Sequence, residues 1–222
     1  MKLQKRKENK KMKTYVIGDV HGCFQELREM IKIMGIKLGE DRLILLGDYI
    51  DRGNEEHEVL ELLQNLLNKY GPDKVIPLMG NHEQMLLDSV GNRFMSNNRF
   101  SEKEIEFIRS RPVYFEDESW FYVHGGINPM KELSEQDEEE MLWIRDQFYS
   151  FPDQLKKKVA FGHTPTRLIN GSDVPVVWND RIALDTGCVF GGNLSAMELI
   201  DGDIVAIYSV NKTNVNINRC AA

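Results

Sequence analysis

Along the chain, short β-rich apolar runs alternate with runs whose hydrophobic positions recur at helical spacing, and the switches mark its elements. Thr14–Ile17 is a short β-rich run that Gly18 breaks. Phe24, Leu27, Met30, Ile31 and Met34 then recur at helical spacing, which predicts an amphipathic helix over 24–34. Leu43–Leu46 is wholly apolar and ends at Gly47, the signature of a buried strand. Val59, Leu62, Leu63, Leu66 and Leu67 mark a second helix, closed by Gly71-Pro72, and this leucine stripe reads as core rather than partner surface. Lys74–Met79 is the next strand, with Pro77 pointing to a sheet edge or a strand end, and a helix follows from about Glu83. Phe100–Arg109 reads as helical, Val113–Phe115 and Trp120–Val123 as a hairpin pair, and Ser134 with Asp137 as the cap of a helix running into Glu138–Glu140. Strand patterns dominate thereafter: Val159–Phe161, Val174–Trp178, Arg181–Leu184, Leu194–Ile200 and Ile204–Val210, the last two joined by the hairpin signal Asp201-Gly202. There is no internal repeat, low-complexity block or linker. The first half therefore looks like β-α-β units and the second like antiparallel β. Helices covering two packed, mixed sheets satisfy both halves.

Composition narrows this picture. A chain of 222 residues, 41% hydrophobic and 28% charged, has the material for one well-buried domain. Its longest apolar run is five residues, Ile204 to Tyr208, too short to cross a membrane as a helix. Three scattered cysteines make neither a disulfide framework nor a cysteine-based zinc site, which fits a reducing, cytoplasmic setting. The net charge of −7 argues against a general nucleic-acid binder. That charge is uneven: the first 13 residues carry seven basic side chains and one acid, so a +6 segment precedes a −13 body. The segment has no apolar h-region and is not a secretory signal. The expected layout is a disordered basic extension over 1–13, one domain over 14–210 and a tail over 211–222.

Four of the five histidines lie in short polar clusters, each just after an apolar strand: Gly18-Asp19-Val20-His21-Gly22, Gly80-Asn81-His82-Glu83, His124-Gly125-Gly126 and Gly162-His163-Thr164. A fifth cluster, Gly47-Asp48-Tyr49-Ile50-Asp51-Arg52-Gly53, has the same placement but uses carboxylates. Strand C-termini are where open α/β folds place ligands, and glycine lets a backbone approach a metal or phosphate closely. Any one cluster alone is also explained as a turn capping the next helix. Five at strand ends are not. Asp19, His21, Asp48, Asn81, His124 and His163 make six mixed oxygen and nitrogen ligands. That set is too large for one tetrahedral zinc and suits two Mn²⁺, Fe or Zn²⁺ ions sharing a carboxylate. His57, after Glu55-Glu56, reads as a solvated surface residue, and Cys23 as a packed small one.

Gly-Asp-Val-His-Gly, Gly-Asp-Tyr-Ile-Asp-Arg-Gly and Gly-Asn-His-Glu, in that order, resemble the signature blocks of the phosphoprotein phosphatase family of metallophosphoesterases. His124-Gly-Gly and Gly-His163-Thr resemble its two downstream histidine motifs, so the resemblance spans roughly residues 14 to 210. It implies an α+β, calcineurin-like fold, two mixed sheets packed as a sandwich and flanked by helices. It implies that Asp19, His21 and Asp48 hold one metal and that Asp48 bridges to a second, held by Asn81, His124 and His163. It also implies His82 as general acid oriented by Asp51, with Arg52 and Arg145 (in Leu142-Trp143-Ile144-Arg145) binding phosphate. The implied reaction is in-line attack by a metal-bridging hydroxide, with Mn²⁺ the first choice of metal and Fe or Zn²⁺ also fitting.

The chain departs from the large eukaryotic members, since Asp185-Thr186-Gly187-Cys188 stands where they carry Ala-Pro-Asn-Tyr. The short length resembles the bacterial and bacteriophage branch, which holds serine/threonine protein phosphatases and symmetrical diadenosine tetraphosphatases. The intact Asp51-Arg52-Gly53 and the Glu83 ending favour a phosphoprotein substrate, with a dinucleoside polyphosphate the alternative. An inactive scaffold binding RNA or membranes through the basic segment would have lost ligands, and none is missing.

Overall fold

The computed structural model describes residues 11–90, 99–211 and 213–219. The N-terminal half contains β1 (Lys13–Ile17), α1 (Phe24–Met34), β2 (Arg42–Leu45), α2 (Glu56–Tyr70), β3 (Val75–Pro77), α3 (Asn81–Val90) and α4 (Glu102–Arg109). Next come β4 (Tyr114–Glu116), β5 (Trp120–Val123), α5 (Glu138–Trp143), α6 (Asp146–Tyr149), β6 (Lys158–Phe161) and α7 (Thr166–Asn170). The chain closes with β7 (Val176–Val177), β8 (Arg181–Ala183), β9 (Leu194–Ile200), β10 (Asp203–Val210) and β11 (Val215–Arg219). They form a six-stranded sheet, β11-β10-β9-β1-β2-β3, and a five-stranded sheet, β4-β5-β6-β8-β7. Both are mixed: β1-β2-β3 and β5-β6-β8 run parallel while the flanking strands run antiparallel.

Alternation along each strand sorts side chains to two faces. Val16, Ile44 and Leu46 of one sheet meet Trp120, Tyr122, Ala160 and Ile182 of the other in a single buried cluster, the filling of the sandwich. The intervening Tyr15, Ile17, Leu43 and Leu45 face outward and pack with Leu27 and Met30 of α1 and Val59 and Leu63 of α2. Phe121, Val123, Val159 and Phe161 do the same on the far side with Met141 and Phe148. The result is helix, sheet, sheet, helix, as the pattern implies.

Several boundaries differ from the sequence reading. The third strand shrinks to Val75–Pro77 and sits at the sheet edge, where a missing proline N–H is tolerated. The strand expected over 174–178 is only Val176–Val177. Asp137, not Ser134, caps α5, accepting the backbone N–H groups of Glu139 and Glu140, while Leu133–Glu135 is a separate 3₁₀ turn. The basic segment overlaps the fold: Lys13 opens β1 and its ammonium lies 2.7 Å from Glu198, and residues 1–10 lie outside the described residues. The C-terminal segment also contributes, because β11 pairs antiparallel with β10. Its alternation was too polar to read as a strand.

Candidate metal centre

The parallel strands of both sheets point their C-terminal ends at one place. Asp19 follows β1, Asp48 follows β2, Asn81 follows β3, His124 follows β5, His163 follows β6 and Asp185 follows β8. Of six non-glycine residues with positive φ among those described, five are here: His21, Asp48, Asp51, Arg52 and His163. Such left-handed backbone is disfavoured for residues with a Cβ, and its concentration marks a site built at the expense of local relaxation. Two glycines permit the crowding. A Cβ on Gly80 would lie 2.3 Å from the Asp48 backbone N, and one on Gly162 would lie 2.0 Å from Asp19 Oδ1.

Asp48 occupies the middle. Its Oδ2 lies 3.3 Å from His21 Nε2, and its Oδ1 lies 3.3 Å from His124 Nε2. Each histidine is fixed from behind. His21 Nδ1 bonds the Ile50 carbonyl at 2.8 Å, and His124 Nδ1 bonds the Leu46 carbonyl at 2.9 Å. A neutral His124 that donates from Nδ1 presents a bare Nε2, which faces not only Asp48 but also Asn81 Oδ1 at 2.9 Å. His163 Nδ1 approaches the same Asn81 oxygen at 2.8 Å, and the His163 backbone N–H donates to Asp19. Acceptors facing acceptors need a cation or an extra proton between them. The donor set therefore fits metal ions. Potential ligand atoms of Asp48, His124 and His163 lie within 4.8 Å of one another, as do those of His21, Asp48 and His82.

The electrostatics agree. Burial, reinforced by Asp185 and Asp48, pushes the Asp19 carboxyl well above the usual range, as expected of acids crowded without a counter-charge. Burial would also raise Asp48, but His124 and His21 overcome it and hold Asp48 well below. Burial opposes protonation of His21 and His124, yet Asp48 raises both. His163 is the exception: burial, then His124 and Arg145, lower it to about 2.

Around this centre, His82 Nδ1 lies 2.6 Å from Asp51 Oδ2, the orienting contact the sequence implied. Arg52 contacts His21 Nε2 and lies over the Phe190 ring. Arg145 donates to the His163 carbonyl at 3.1 Å. The structure thus gathers all ten residues singled out from the sequence. His57, by contrast, bonds Glu104 at 2.7 Å while staying half exposed.

Three further residues join the site in the fold. Glu83 is fully buried and its carboxylate accepts the backbone N–H groups of Gly80 (2.9 Å), Asp48 (2.8 Å) and Tyr49 (2.8 Å), with Ile50 at 3.3 Å, so it holds the Asp48 loop to α3. Asp185 is buried beside Asp19 and accepts from Gly187 N at 3.0 Å. Arg99 reaches Asp51 at 2.6 Å and Glu56 at 2.6 Å. Glu83 carried a signal, its place in Gly-Asn-His-Glu. Arg99 carried none, since nothing local ties it to residues 51 and 56.

Comparison with known proteins agrees with this geometry. A symmetrical bis(5'-nucleosyl)-tetraphosphatase of Methylococcus capsulatus is 26% identical, the match covering 87% of this chain and 93% of that protein. An asymmetrical bis(5'-nucleosyl)-tetraphosphatase of Oceanobacillus iheyensis is 25% identical over 89% of this chain and 93% of its own length. Among solved structures, one provisionally described as a diadenosine tetraphosphatase superposes with a TM-score of 0.74 at 22% identity, covering 93% of this chain and 96% of the other. A protein serine/threonine phosphatase of Saccharomyces cerevisiae superposes with a TM-score of 0.67 at 17% identity, covering 94% and 82%. These names favour the nucleotide alternative over the phosphoprotein reading. Calcineurin-like phosphoesterases, which use a dinuclear metal site, match residues 12–209 as a family, and the chain belongs to that family of hydrolases.

Proposed function

We propose that this chain is a dinucleoside polyphosphate hydrolase, a bis(5'-nucleosyl)-tetraphosphatase of the symmetrical type. The observation that carries the reading is the Asp48-centred cluster with His82–Asp51 and two arginines at its rim, in a chain that matches one symmetrical tetraphosphatase over 93% of that protein's length and spans about half to three fifths of other relatives with that name. Asp19, His21 and Asp48 would hold one metal ion, and Asp48, Asn81, His124 and His163 a second. Mn²⁺ is the preferred identity, and a cytoplasmic location fits the cysteine usage. When bound, such ions acidify water and neutralise phosphoryl oxygens.

The chain's own residues supply the rest. Arg52 and Arg145 project into solvent and offer charge-assisted hydrogen bonds to non-bridging phosphate oxygens. His82 would carry a proton to the departing oxygen, and Asp51 fixes the tautomer that can do so by engaging Nδ1. Asp51 itself sits below the usual carboxylate range, first through its hydrogen bond to His82 and further through Arg99, so it stays an acceptor at neutral pH. Glu83 keeps the Asp48 loop in register with α3. No nucleophilic side chain is needed.

The phosphoprotein reading keeps one favouring feature, the intact Asp51-Arg52-Gly53 block. The deciding experiment compares kcat/KM for diadenosine tetraphosphate and a phosphothreonine peptide after chelation and readdition of Mn²⁺. The tetraphosphate should be preferred at least tenfold. A preference for the peptide would overturn the reading, and activity surviving full chelation would overturn the metal-dependent chemistry.

A further inference from the structure

Among the described residues three large aromatic side chains are strongly exposed: Tyr114, Trp143 and Phe190. Two border the metal centre. Trp143 meets the His163 ring edge-on at 5.9 Å, and Phe190, 62% exposed, lies 5.4 Å from the Arg52 guanidinium. Phe190 ends a 3₁₀ turn held between Gly187 and Gly191, both in left-handed backbone that favours glycine. The turn is pinned at its base: Asn193 N donates to the Thr186 carbonyl at 3.0 Å, Gly192 N to the Gly187 carbonyl at 2.9 Å, and Thr186 Oγ1 to the Asn193 carbonyl at 2.6 Å. A ring presented so firmly to solvent binds a planar partner with little further ordering.

Next to this turn a cavity of about 490 Å³ opens, lined in part by Arg52, Cys188, Val189, Gly191 and Glu26; the Phe190 ring is not part of its lining and adjoins it through Arg52. Glu26 is only 7% exposed, and among the described residues its carboxylate has no hydrogen-bond or ion-pair partner. Its oxygens are reached by solvent in the cavity, where they are free to accept a hydrogen bond from a ligand. Cys23 and Cys188 flank it, their sulfur atoms within 4.8 Å of a Glu26 oxygen.

We infer that Phe190, Glu26 and Arg52 form a nucleoside subsite: the base stacks on Phe190, a ribose hydroxyl donates to Glu26, and the attached phosphate reaches Arg52 and the metal centre. The inference deepens the tetraphosphatase reading, on which its substrate class rests. Aromatic stacking is tolerant of base identity, and a carboxylate is a natural acceptor for ribose hydroxyls. The subsite would separate a nucleotide from a phosphorylated side chain, which offers neither group.

The test uses the full chain loaded with Mn²⁺ and reads inhibition constants against p-nitrophenyl phosphate hydrolysis. Adenosine monophosphate should inhibit about 5- to 100-fold more tightly than ribose 5-phosphate, the span of one base–aromatic stack. Phe190→Ala should shrink that ratio to within about twofold, while Phe190→Trp should preserve it. Taking the ratio cancels any effect of the substitution on Arg52 or the metals. Glu26→Ala, which removes the acceptor, should abolish the preference for adenosine monophosphate over its 2',3'-dideoxy analogue. No base preference in the unmodified protein, or a full preference surviving Phe190→Ala, overturns the subsite. A preference for the ribonucleotide over the dideoxy analogue that survives Glu26→Ala overturns the role given to Glu26. A Phe190-dependent preference in a chain that leaves diadenosine tetraphosphate uncleaved supports the subsite and rejects the tetraphosphatase reading.

Discussion

Replacing His82 by asparagine separates leaving-group chemistry from everything else at the centre. The backbone N–H of residue 82, which donates to Asp48 Oδ1 at 3.1 Å, survives the change, so the Asp48 carboxylate keeps its support. What is lost is the ring nitrogen beyond the 2.6 Å contact with Asp51. A positioned general acid contributes roughly 10²–10⁴-fold, or about 2.7–5.4 kcal/mol in barrier height. That contribution depends on how badly the departing oxygen needs a proton. A serine alkoxide departs as the conjugate base of an acid about as weak as water, whose pKa is about 15.7. A nucleoside diphosphate departs through a phosphate oxygen whose second pKa is about 6, already stable as an anion at neutral pH. His82→Asn should therefore lower kcat/KM by about 10²–10⁴ for a phosphoserine peptide but by less than about tenfold for diadenosine tetraphosphate. The assay is steady-state hydrolysis of both substrates with Mn²⁺, with bound metal measured on each sample. Equal losses on both substrates at unchanged metal content would refute the acid role and leave His82 as a structural group.

Three other outcomes follow from the same geometry. Because Asp48 raises His21 and His124 against the effect of burial, both tend to hold protons in the metal-free protein, and a metal must displace them. Metal affinity should fall as pH drops from 8 to 6, by up to about tenfold per unit for each proton displaced, with proton release visible by calorimetry in buffers of different ionisation enthalpy; a flat affinity would contradict it. His163, lowered to about 2, should contribute no proton in that range. Glu83→Ala strands several buried N–H groups at about 1–3 kcal/mol each, so the urea midpoint should fall by the equivalent of at least about 3 kcal/mol; a loss below about 1 kcal/mol would show that water replaces the carboxylate. Gly162→Ala places a Cβ 2.0 Å from Asp19 Oδ1 and should weaken metal binding while leaving the far end of the sandwich folded, as circular dichroism would report.

The sequence was most legible where local rules suffice. Thr14–Ile17, Leu43–Leu46 and Trp120–Val123 read as strands from their apolar, β-rich runs alone, while which side chains face the other sheet and which face the helices came only from the packed structure. Hairpin chemistry at Asp201-Gly202 was equally local, and both residues adopt positive φ. The short helices α6 and α7 escaped, since four or five residues carry too little periodicity. Strand β11 escaped because all its residues are exposed.

The candidate site residues were legible for a different reason. Motif residues stand beside the strand exits that deliver them, so their chemistry could be read before their positions were known. Their arrangement could not. β2 lies between β1 and β3, and its exit loop therefore touches both neighbours: the Asp48 carbonyl accepts from His21 N at 2.8 Å while its side chain accepts from His82 N. That central place puts one Asp48 oxygen toward His21 and the other toward His124. Only the packed fold joins Glu83 to the loop of Asp48, Arg99 to Asp51, and Phe190 to Arg52. These pairs lie tens of residues or more apart, and sequence pattern reports neighbours along the chain, whereas hydrogen bonds and ring contacts report neighbours in space. The sequence by itself determined which histidines, carboxylates and arginines stand at the strand exits; the tertiary structure decided which of them meet around Asp48 and which side chains surround them.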